Sequence, residues 1–317
     1  MKPKVLVYTG AALAQYGFGA GHPFGPDRHN AFVKEFQARG LEKQVEMAAP
    51  VMASRAELER FHTSEYIDKI IHQSKTGQGY LDCGDTPAYP GIYSDAATVV
   101  GTTLAALDRI INGPIHKAFI PIAGLHHARR DSAAGFCALN DIGVAIETCR
   151  QRYHIARIAY VDIDAHHGDG VFYAFESDPD LCFIDFHEDG RFLYPGTGAQ
   201  EETGKGPAFG TKLNFPMPRQ ANDAAFLELW PRAEKFLRQA SPELIIFQCG
   251  ADSMAGDPIT HLHYSAAVHR HVATHLSIVA NELCNGRLLA LGGGGYDRDN
   301  LAQAWCAVVE AMIQFGG

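Results

Sequence analysis

The feature that most constrains the fold of this chain is a series of short runs rich in Val, Ile and Leu, separated by segments with helical periodicity. Most of these runs are apolar at almost every position. They would therefore be buried on both faces, like the strands of a parallel sheet that is covered by helices. We predict seven such strands, at Val5–Tyr8, Ala118–Ile122, Arg157–Asp162, Leu181–Phe186, Lys212–Phe215, Leu244–Cys249 and Arg287–Leu291.

Helices are predicted between the strands, where apolar residues recur at helical spacing. Ser94 is the expected N-cap of the first long helix. Two segments dense in Gly, Pro and Asp, Tyr16–His29 and Gly77–Gly91, fit neither pattern, and loops of that length usually build a site. The four clearest helices are Ser94–Ile111, Asp223–Gln239, Ser265–Leu283 and Asn300–Phe315.

Strand and helix alternate along the chain, and no Ser/Gly/Pro-rich linker, charge block or internal repeat divides it. This alternation is typical of α/β proteins with a parallel sheet and right-handed crossovers. We therefore predict a single α/β domain over residues 1–317. It would be a three-layer αβα arrangement around a central, mainly parallel sheet of about eight strands.

Composition excludes several classes of protein. Of the 317 residues, 46% are hydrophobic and 20% are charged, which rules out a disordered chain. There are 27 Lys and Arg residues against 36 Asp and Glu residues, and a net charge of −9 without a basic block argues against nucleic-acid or membrane binding. The 7 Cys residues form no CxxC pair, so we expect reduced thiols and a cytoplasmic location. No feature indicates an oligomeric state.

The densest group of metal-binding side chains follows the predicted strand that ends at Asp162. There the chain reads Asp-Ile-Asp-Ala-His-His-Gly-Asp-Gly. In an extended chain alternate side chains share a face, so Asp162, Asp164 and His166 would project together. A carboxylate and an imidazole are ligands that suit Zn²⁺. The alternative is a hydrogen-bonded Asp/His network at a tight turn.

A further carboxylate, Asp252, follows the predicted strand Leu244–Cys249. By itself it could be an N-cap or a turn residue, which are common roles for Asp. As a third ligand it would complete an Asp–His–Asp set and leave the fourth zinc position open. An open position distinguishes catalytic zinc from structural zinc.

Two histidines in tandem, His126 and His127, follow the predicted strand Ala118–Ile122. A lone His is usually a satisfied polar residue, but a pair at a strand end beside a candidate metal site suggests proton transfer. One imidazole could take a proton from a metal-activated water molecule and return it to a leaving amine. Asp162 and Asp169 could hold the two rings in one tautomer.

Four glycines, Gly292–Gly295, follow the last predicted strand and precede Tyr296. A glycine run at such a junction can cradle phosphate, but this one lacks the GxGxxG spacing and the P-loop Lys. The other interpretation is that the glycines let the backbone approach a ligand closely. Tyr296 could then donate its phenol O–H to a developing oxyanion.

Taken together, these segments resemble the zinc-dependent histone deacetylase family of the arginase–deacetylase fold, over nearly the whole chain. The loop His187–Pro195 is most similar to bacterial members, including those called acetoin-utilisation deacetylases. Further motifs that carry the resemblance are Gly21-His22-Pro23 with Arg28, Asp85-Thr86-Pro87, Ser132–Cys137, Tyr194–Gly198, Gly250-Ala251-Asp252 and Gly256-Asp257-Pro258.

The resemblance implies roles for the residues of the catalytic centre. The positions that match the family's zinc ligands are Asp164, His166 and Asp252. His126 and His127 match its catalytic histidines, and Asp162 and Asp169 match the carboxylate partners of those histidines. Tyr296 matches its carbonyl-polarising tyrosine. The second histidine of the pair would be the proton shuttle, and the first would act electrostatically.

The resemblance also implies roles in substrate binding. Phe136 and Tyr194 would form the walls of a narrow acyl-lysine channel, beside Gly135. Asp85 would accept substrate backbone N–H groups at the rim, and Arg28 would line an inner cavity through which acetate leaves. Ile259 occupies a rim position, and a polyamine-selective branch has Glu there, so Ile259 counts against polyamine substrates.

A structural K⁺ is a further implication of the resemblance. Its ligands would be Asp162, Asp185 and the backbone of Phe186, with the backbone of Asp164 and His166. Many members have Ser at the position of Asp185. The additional negative charge should still permit K⁺ to bind.

The function that we predict is a zinc-dependent amidohydrolase that removes acetyl or other acyl groups from N-acyl-lysine in proteins or peptides. One alternative is hydrolysis of acetylpolyamines or other small N-acetyl amines. A second is a two-metal ureohydrolase like arginase, which would need additional Asp and His ligands. A third is a non-catalytic acyl-lysine-binding protein, which predicts loss of a ligand or of Tyr296, and neither is lost.

Overall fold

The computed structural model describes residues 4–19 and 21–316, and its centre is one sheet of eight parallel strands. The strands are β1 (Leu6–Tyr8), β2 (Glu46–Ala48), β3 (Lys117–Ile120), β4 (Ile158–Asp162), β5 (Leu181–Glu188), β6 (Lys212–Met217), β7 (Leu244–Gln248) and β8 (Leu288–Leu291). Their order in the sheet is β2-β1-β3-β8-β7-β4-β5-β6, which confirms the predicted parallel α/β sheet.

Helices flank the sheet in two groups. The helices are α1 (Ala11–Ala14), α2 (Asp27–Ala38), α3 (Arg55–Leu58), α4 (Ser64–Thr76), α5 (Ile92–Asn112), α6 (Asp141–Tyr153), α7 (Asp169–Ala174), α8 (Asp223–Ala240), α9 (Ala266–Leu283) and α10 (Arg298–Gln314). One group contains α2, α8, α9 and α10, which pack in the order α2-α10-α9-α8, and the other contains α4, α5 and α6. Within the described residues, no helix combines the length and the apolar character that crossing a membrane requires.

The central strands are buried on both faces, as their composition predicted. Every residue of β3, β4, β5, β7 and β8 is buried. Because side chains alternate between the two faces of a strand, full burial means that both faces are covered. The seven predicted strands are all present, and no end differs from the prediction by more than two residues.

Some helix boundaries differ from the predictions. Helix α5 starts at Ile92, and the residue at its N-cap position is Gly91, which has a φ of 100°. Ser94, the predicted N-cap, therefore lies inside the helix. The Ser94 hydroxyl instead donates to the Gly91 carbonyl oxygen at 2.7 Å, within the first turn. Helix α10 starts two residues earlier than predicted, because the Asp297 side chain caps it. The segment Gly77–Gly91 is the predicted loop, whereas Tyr16–His29 runs into helix α2.

Four strands that neighbour one another in the sheet carry the segments with candidate chemistry. Their order is β3-β8-β7-β4, although they are far apart along the chain. In parallel α/β sheets, ligands bind beyond the carboxyl ends of the strands. The polar segments that follow these four strands are therefore brought to one place.

Candidate active site

The Asp–His–Asp group predicted to bind zinc comes together beyond strands β4 and β7. Asp164, His166 and Asp252 are all buried, and each offers a ligand atom within 4.8 Å of those of the other two. The Nδ1 atom of His166 lies 3.0 Å from Asp164 Oδ1 and 3.2 Å from Asp252 Oδ2. Although burial opposes it, hydrogen bonding to the two carboxylates raises the pKa of His166 to about 10. The group could therefore hold a metal cation.

Neighbouring groups hold the ligand carboxylates in place. Asp164 Oδ2 accepts hydrogen bonds from Gln248 Nε2 at 2.7 Å and from the backbone N–H of Gly294 at 2.9 Å. Asp252 Oδ1 accepts the backbone N–H of Ala165 at 2.8 Å. A Cβ atom on Gly294 would lie 2.1 Å from Asp252 Oδ2, so glycine is required there for the carboxylates to converge. This arrangement and the donor set fit a Zn²⁺ ion.

The tandem histidines form two parallel His–Asp pairs. His126 Nδ1 donates to Asp162 Oδ2 at 2.8 Å, and His127 Nδ1 donates to Asp169 Oδ1 at 2.7 Å. The two Nε2 atoms lie 3.1 Å apart. Because each Nδ1 atom faces a carboxylate, the tautomer with hydrogen on Nδ1 is favoured, which leaves Nε2 of His127 to accept a proton.

His127 is neutral at physiological pH. Burial and the neighbouring His126 lower its pKa to about 4, against the opposing effect of Asp169. A neutral imidazole can accept a proton, and Asp169 would then stabilise the resulting cation. The pair therefore has the chemistry of a general base that can become a general acid.

Tyr296 follows a glycine run whose backbone is held by hydrogen bonds at nearly every step. Arg28 is fully buried, and it donates to the carbonyl oxygens of Gly293 and Gly295 at 2.6 and 2.8 Å. Trp305 of α10 donates to the Gly292 carbonyl oxygen at 2.9 Å. Burial and the nearby carboxylates raise the pKa of the Tyr296 phenol well above its usual value. The phenol therefore keeps its hydrogen and can donate it to an oxyanion.

One small cavity brings these groups together. Its volume is about 20 Å³, close to what one water molecule needs. The lining includes most of the predicted catalytic centre, and it also includes Phe24, Gly124, Leu125 and Cys137, to which the sequence analysis gave no role in the site. The predicted residues that line it are His126, His127, Gly135, Asp164, His166 and Tyr296.

The two predicted channel walls contact different residues of the candidate site. The Phe136 ring is 5.8 Å from that of Tyr296, and the Tyr194 ring is 5.1 Å from that of His127. Phe136 has a φ of 68°, a strained value for a residue with a side chain. Its N–H donates to Thr86 and its carbonyl oxygen accepts from Tyr16, so the strain is compensated on both sides.

The predicted rim residues lie in exposed or half-buried loops. Asp85 is exposed, and its loop is folded around Asp82, whose Oδ1 accepts the Asp85 N–H at 2.9 Å. Ile259 is half-buried in the loop that follows Asp252. A hydrogen bond from His22 Nε2 to the Asp85 carbonyl oxygen, at 3.2 Å, connects this loop to the segment before α2.

A family model described as a histone deacetylase domain matches residues 22–312. The chain belongs to the histone deacetylase family. It is therefore a hydrolase that acts on amide bonds, and the family is zinc-dependent in general. This membership agrees with the resemblance inferred from the motifs.

Proteins similar to this histone deacetylase family member include bacterial and eukaryotic ones. The acetoin utilization protein AcuC of Bacillus subtilis is 36% identical over 305 residues, covering 94% of this chain and 78% of AcuC. Histone deacetylase RPD3 of Saccharomyces cerevisiae is 32% identical over 314 residues, covering 96% of this chain and 71% of RPD3. The crystal structure of the HDA15 HD domain is similar with a TM-score of 0.89 at 25% identity, covering 99% of this chain and 90% of that one.

The group expected to hold K⁺ lies beside the paired histidines. A Cβ atom on Gly168 would lie 2.9 Å from Asp162 Oδ2 and 3.4 Å from Asp185 Oδ2, so the two carboxylates converge on this backbone. Burial, together with Asp185 and Asp164, raises the pKa of Asp162 well above its usual value. Asp185 Oδ1 is also 2.8 Å from His187 Nδ1, and His187 Nε2 donates to the Gly198 carbonyl oxygen at 2.9 Å.

Sequence reasoning missed several residues that support the deacetylase site. Gln248 binds Asp164, and it is the polar exception in an otherwise apolar strand, which is the signal that could have identified it. Asp141 accepts the backbone N–H groups of Gly124 and Leu125 and so fixes the turn before the paired histidines. No local pattern distinguishes Asp141 from an ordinary residue in the first turn of a helix.

Proposed function

We propose that this protein is a zinc-dependent deacetylase that removes acetyl groups from the side-chain amine of N-acetyl-lysine in proteins or peptides. The observation that carries the proposal is that Asp164, His166, His127 and Tyr296 line one small cavity. A metal site, a base and an oxyanion donor at one point are the parts that amide hydrolysis requires.

Asp164, His166 and Asp252 would hold the Zn²⁺ ion. When bound, the ion supplies Lewis acidity to the amide carbonyl and lowers the pKa of a water molecule. Gln248 and the backbone of Gly294 keep Asp164 oriented for this role. The other steps depend on side chains of this chain.

His127 would take a proton from the attacking water molecule at Nε2 and deliver it to the leaving lysine amine. Its neutral state, its hydrogen bond to Asp169 and its place in the cavity support this role. His126 would provide electrostatic support through its Nε2 atom, 3.1 Å from that of His127. The same imidazole thus serves as base and then as acid.

Tyr296 would donate its phenol O–H to the carbonyl oxygen as negative charge develops there. Phe136 and Tyr194 would hold the lysine stem between them, and Asp85 would accept N–H groups of the substrate backbone at the rim. Gly135 leaves room for this arrangement, since a Cβ atom there would lie 2.5 Å from the His127 ring.

Three further assignments belong to the same proposal. Arg28 would line the cavity from which acetate leaves, because its Nη1 atom is buried without a partner. Ile259, being apolar, would favour a peptide over a polyamine at the channel mouth. Asp162, Asp185 and the backbone of Phe186 would hold a structural K⁺, whose charge would reduce the repulsion between the carboxylates.

A side-by-side assay tests the proposal. Purified zinc-loaded enzyme is given acetyl-lysine peptides, longer acyl-lysine peptides and acetylspermidine, and kcat/KM is measured for each. The expected result is the highest value for acetyl-lysine peptides, with His127→Ala as the inactive control. A preference for acetylspermidine would identify a small N-acetyl amine hydrolase instead. Two Mn²⁺ ions per chain in the active enzyme would favour a ureohydrolase.

A further inference from the structure

One buried carboxylate connects the loop of residues 254–263, here called the rim loop, to the catalytic tyrosine. Asp257 is 8% exposed, and its Oδ2 accepts the backbone N–H of Tyr296 at 2.8 Å. Its Oδ1 accepts the backbone N–H of Ile259 at 3.1 Å. A single side chain therefore fixes the backbone of a residue at the reacting carbonyl and of a residue at the channel mouth.

The backbone around Tyr296 is held by hydrogen bonds with three side chains, one of which is Asp257. On the N-terminal side of Tyr296, Arg28 binds the carbonyl oxygens of Gly293 and Gly295. On the C-terminal side, Arg298 Nη1 donates to the Tyr296 carbonyl oxygen at 2.8 Å. Between these attachments, the Asp257 carboxylate is the acceptor for the Tyr296 N–H. Its loss would leave the Gly295–Tyr296 peptide group held only at its carbonyl oxygen, by Arg28, so that this peptide group and the phenol beyond it could tilt.

We propose that Asp257 is a positioning residue that aims the Tyr296 phenol at the substrate carbonyl. The inference rests on the proposed function, because it assigns Asp257 a part in the same reaction. A displacement of about 1 Å in a reacting group can cost about 100-fold in rate, so a single hydrogen bond at this point has a large effect. The same carboxylate aligns Ile259 with Tyr296, which couples the rim loop to the oxyanion donor.

The rim loop has several other attachments, so Asp257 is not needed to hold it against the protein. The backbone N–H of Ala255 donates to the carbonyl oxygen of Tyr264, and the Thr260 hydroxyl donates to the carbonyl oxygen of Asp252. The backbone N–H of His261 donates to the buried carboxylate of Glu188 at 2.8 Å. Loss of the Asp257 carboxylate should therefore release Tyr296 while the loop stays in place.

The test is a double-mutant cycle on the full chain loaded with zinc. Asp257→Ala should lower kcat on an acetyl-lysine peptide by about 10- to 100-fold, with KM nearly unchanged. Asp257→Asn keeps one acceptor oxygen and should lose less. In a Tyr296→Phe background, where the hydroxyl is already missing, Asp257→Ala should have little further effect, because the two residues act through one group.

A matched control is Asn300→Ala. Asn300 Nδ2 donates to the Ala255 carbonyl oxygen at 3.0 Å, so this change loosens the rim loop without touching the Tyr296 N–H. It should leave kcat close to that of the wild type. Thermal unfolding and zinc content of every variant separate a positioning effect from loss of folding or of metal.

Three results would overturn the inference. The first is that Asp257→Ala lowers kcat by the same factor in the wild-type and Tyr296→Phe backgrounds. The second is that Asp257→Ala changes KM alone, and the third is that Asn300→Ala lowers kcat as much as Asp257→Ala does. If the wild type hydrolyses no acyl-lysine peptide, the proposed function is wrong. Crystal structures of the wild type and Asp257→Ala then decide the inference, since an unmoved Tyr296 ring in the variant contradicts it.

Discussion

The Nδ1 atom of His127 lies 2.7 Å from Oδ1 of Asp169, and both side chains are buried. The carboxylate fixes the tautomer of the ring and would stabilise the imidazolium that forms during turnover. We expect Asp169→Asn to lower kcat by about 10- to 100-fold, because the amide cannot stabilise that charge. Steady-state kinetics on an acetyl-lysine peptide measure the loss.

Arg129 provides the control for this prediction. Its Nη2 atom is 3.4 Å from the other oxygen of Asp169, but the side chain is largely exposed. Arg129→Ala should change kcat by less than about fivefold, since exposed ion pairs contribute little. If Asp169→Asn were as active as Arg129→Ala, the orienting role of Asp169 would be refuted.

Gly294→Ala should remove the metal. The new Cβ atom would lie 2.1 Å from Asp252 Oδ2 and 2.8 Å from Asp164 Oδ2, so the two carboxylates could not keep their positions. Metal analysis after zinc loading should give about one ion per wild-type chain and almost none per variant chain. Gly19→Ala, where a Cβ atom meets nothing within 4 Å, is the control. A Gly294→Ala chain that retained its zinc would contradict the proposed ligand set.

Tyr296→Phe should lower kcat by about 100- to 1,000-fold, the usual effect of removing one oxyanion donor. The raised pKa of Tyr296 keeps the phenol protonated, so the expected loss should be the same across the neutral pH range. Zinc content should not change, because the phenol is not one of the proposed ligands. Wild-type turnover by this variant would show that Tyr296 does not stabilise the oxyanion.

The buried His62 should make the folded protein sensitive to acid. Burial lowers its pKa from 6.5 to about 4, and its Nε2 accepts the backbone N–H of Asn140 at 2.9 Å. Between these two pH values the unfolded chain binds a proton that the folded chain does not, so the free energy of unfolding falls as pH falls. The contribution of this residue to that fall is up to about 3 kcal/mol.

His62→Gln offers a test, because glutamine can supply both a donor and an acceptor at this position. Denaturant unfolding of wild type and variant is compared from pH 7 to pH 4. The wild type should lose more stability than the variant between pH 6.5 and pH 4, whatever their difference at pH 7. Parallel curves for the two proteins would mean that His62 does not titrate in this way.

Potassium should stabilise the protein if the carboxylates of Asp162 and Asp185 hold that ion. At constant ionic strength, replacing tetramethylammonium chloride with KCl should raise the unfolding temperature by a few degrees. Asp185→Ala should reduce the difference. An unfolding temperature that is the same in both salts would remove K⁺ from the proposal, whatever the activity of the enzyme.

Sequence patterns predicted the central strands well because full burial leaves an unmistakable apolar run. The edge strand β2, Glu46–Ala48, was not predicted, since it has three residues and is only partly buried. Helix α6 was missed for another reason. Its apolar face is interrupted by Gly143 and Thr148, and its N-terminus is fixed by the side chain of Asn140.

The residues of the candidate site could be predicted from the sequence only in part. Polar residues at strand ends indicated Asp164, His166 and Asp252, but only the strand order brings β4 and β7 together. The contribution of Asp257 was invisible, because a backbone N–H as its partner leaves no trace in the sequence. Gln248 is recognisable as the polar residue of an apolar strand, but the sequence does not show that it reaches Asp164 from the neighbouring strand.

The separation of the candidate metal ligands along the chain has a consequence for how this protein matures. His166 and Asp252 are 86 residues apart, and they meet only because β4 pairs with β7. No nascent fragment that ends before residue 252 can present the complete set of ligands. Complete ligation of the proposed zinc ion would therefore follow the pairing of β4 with β7, and the ion would stabilise the finished fold rather than speed its formation.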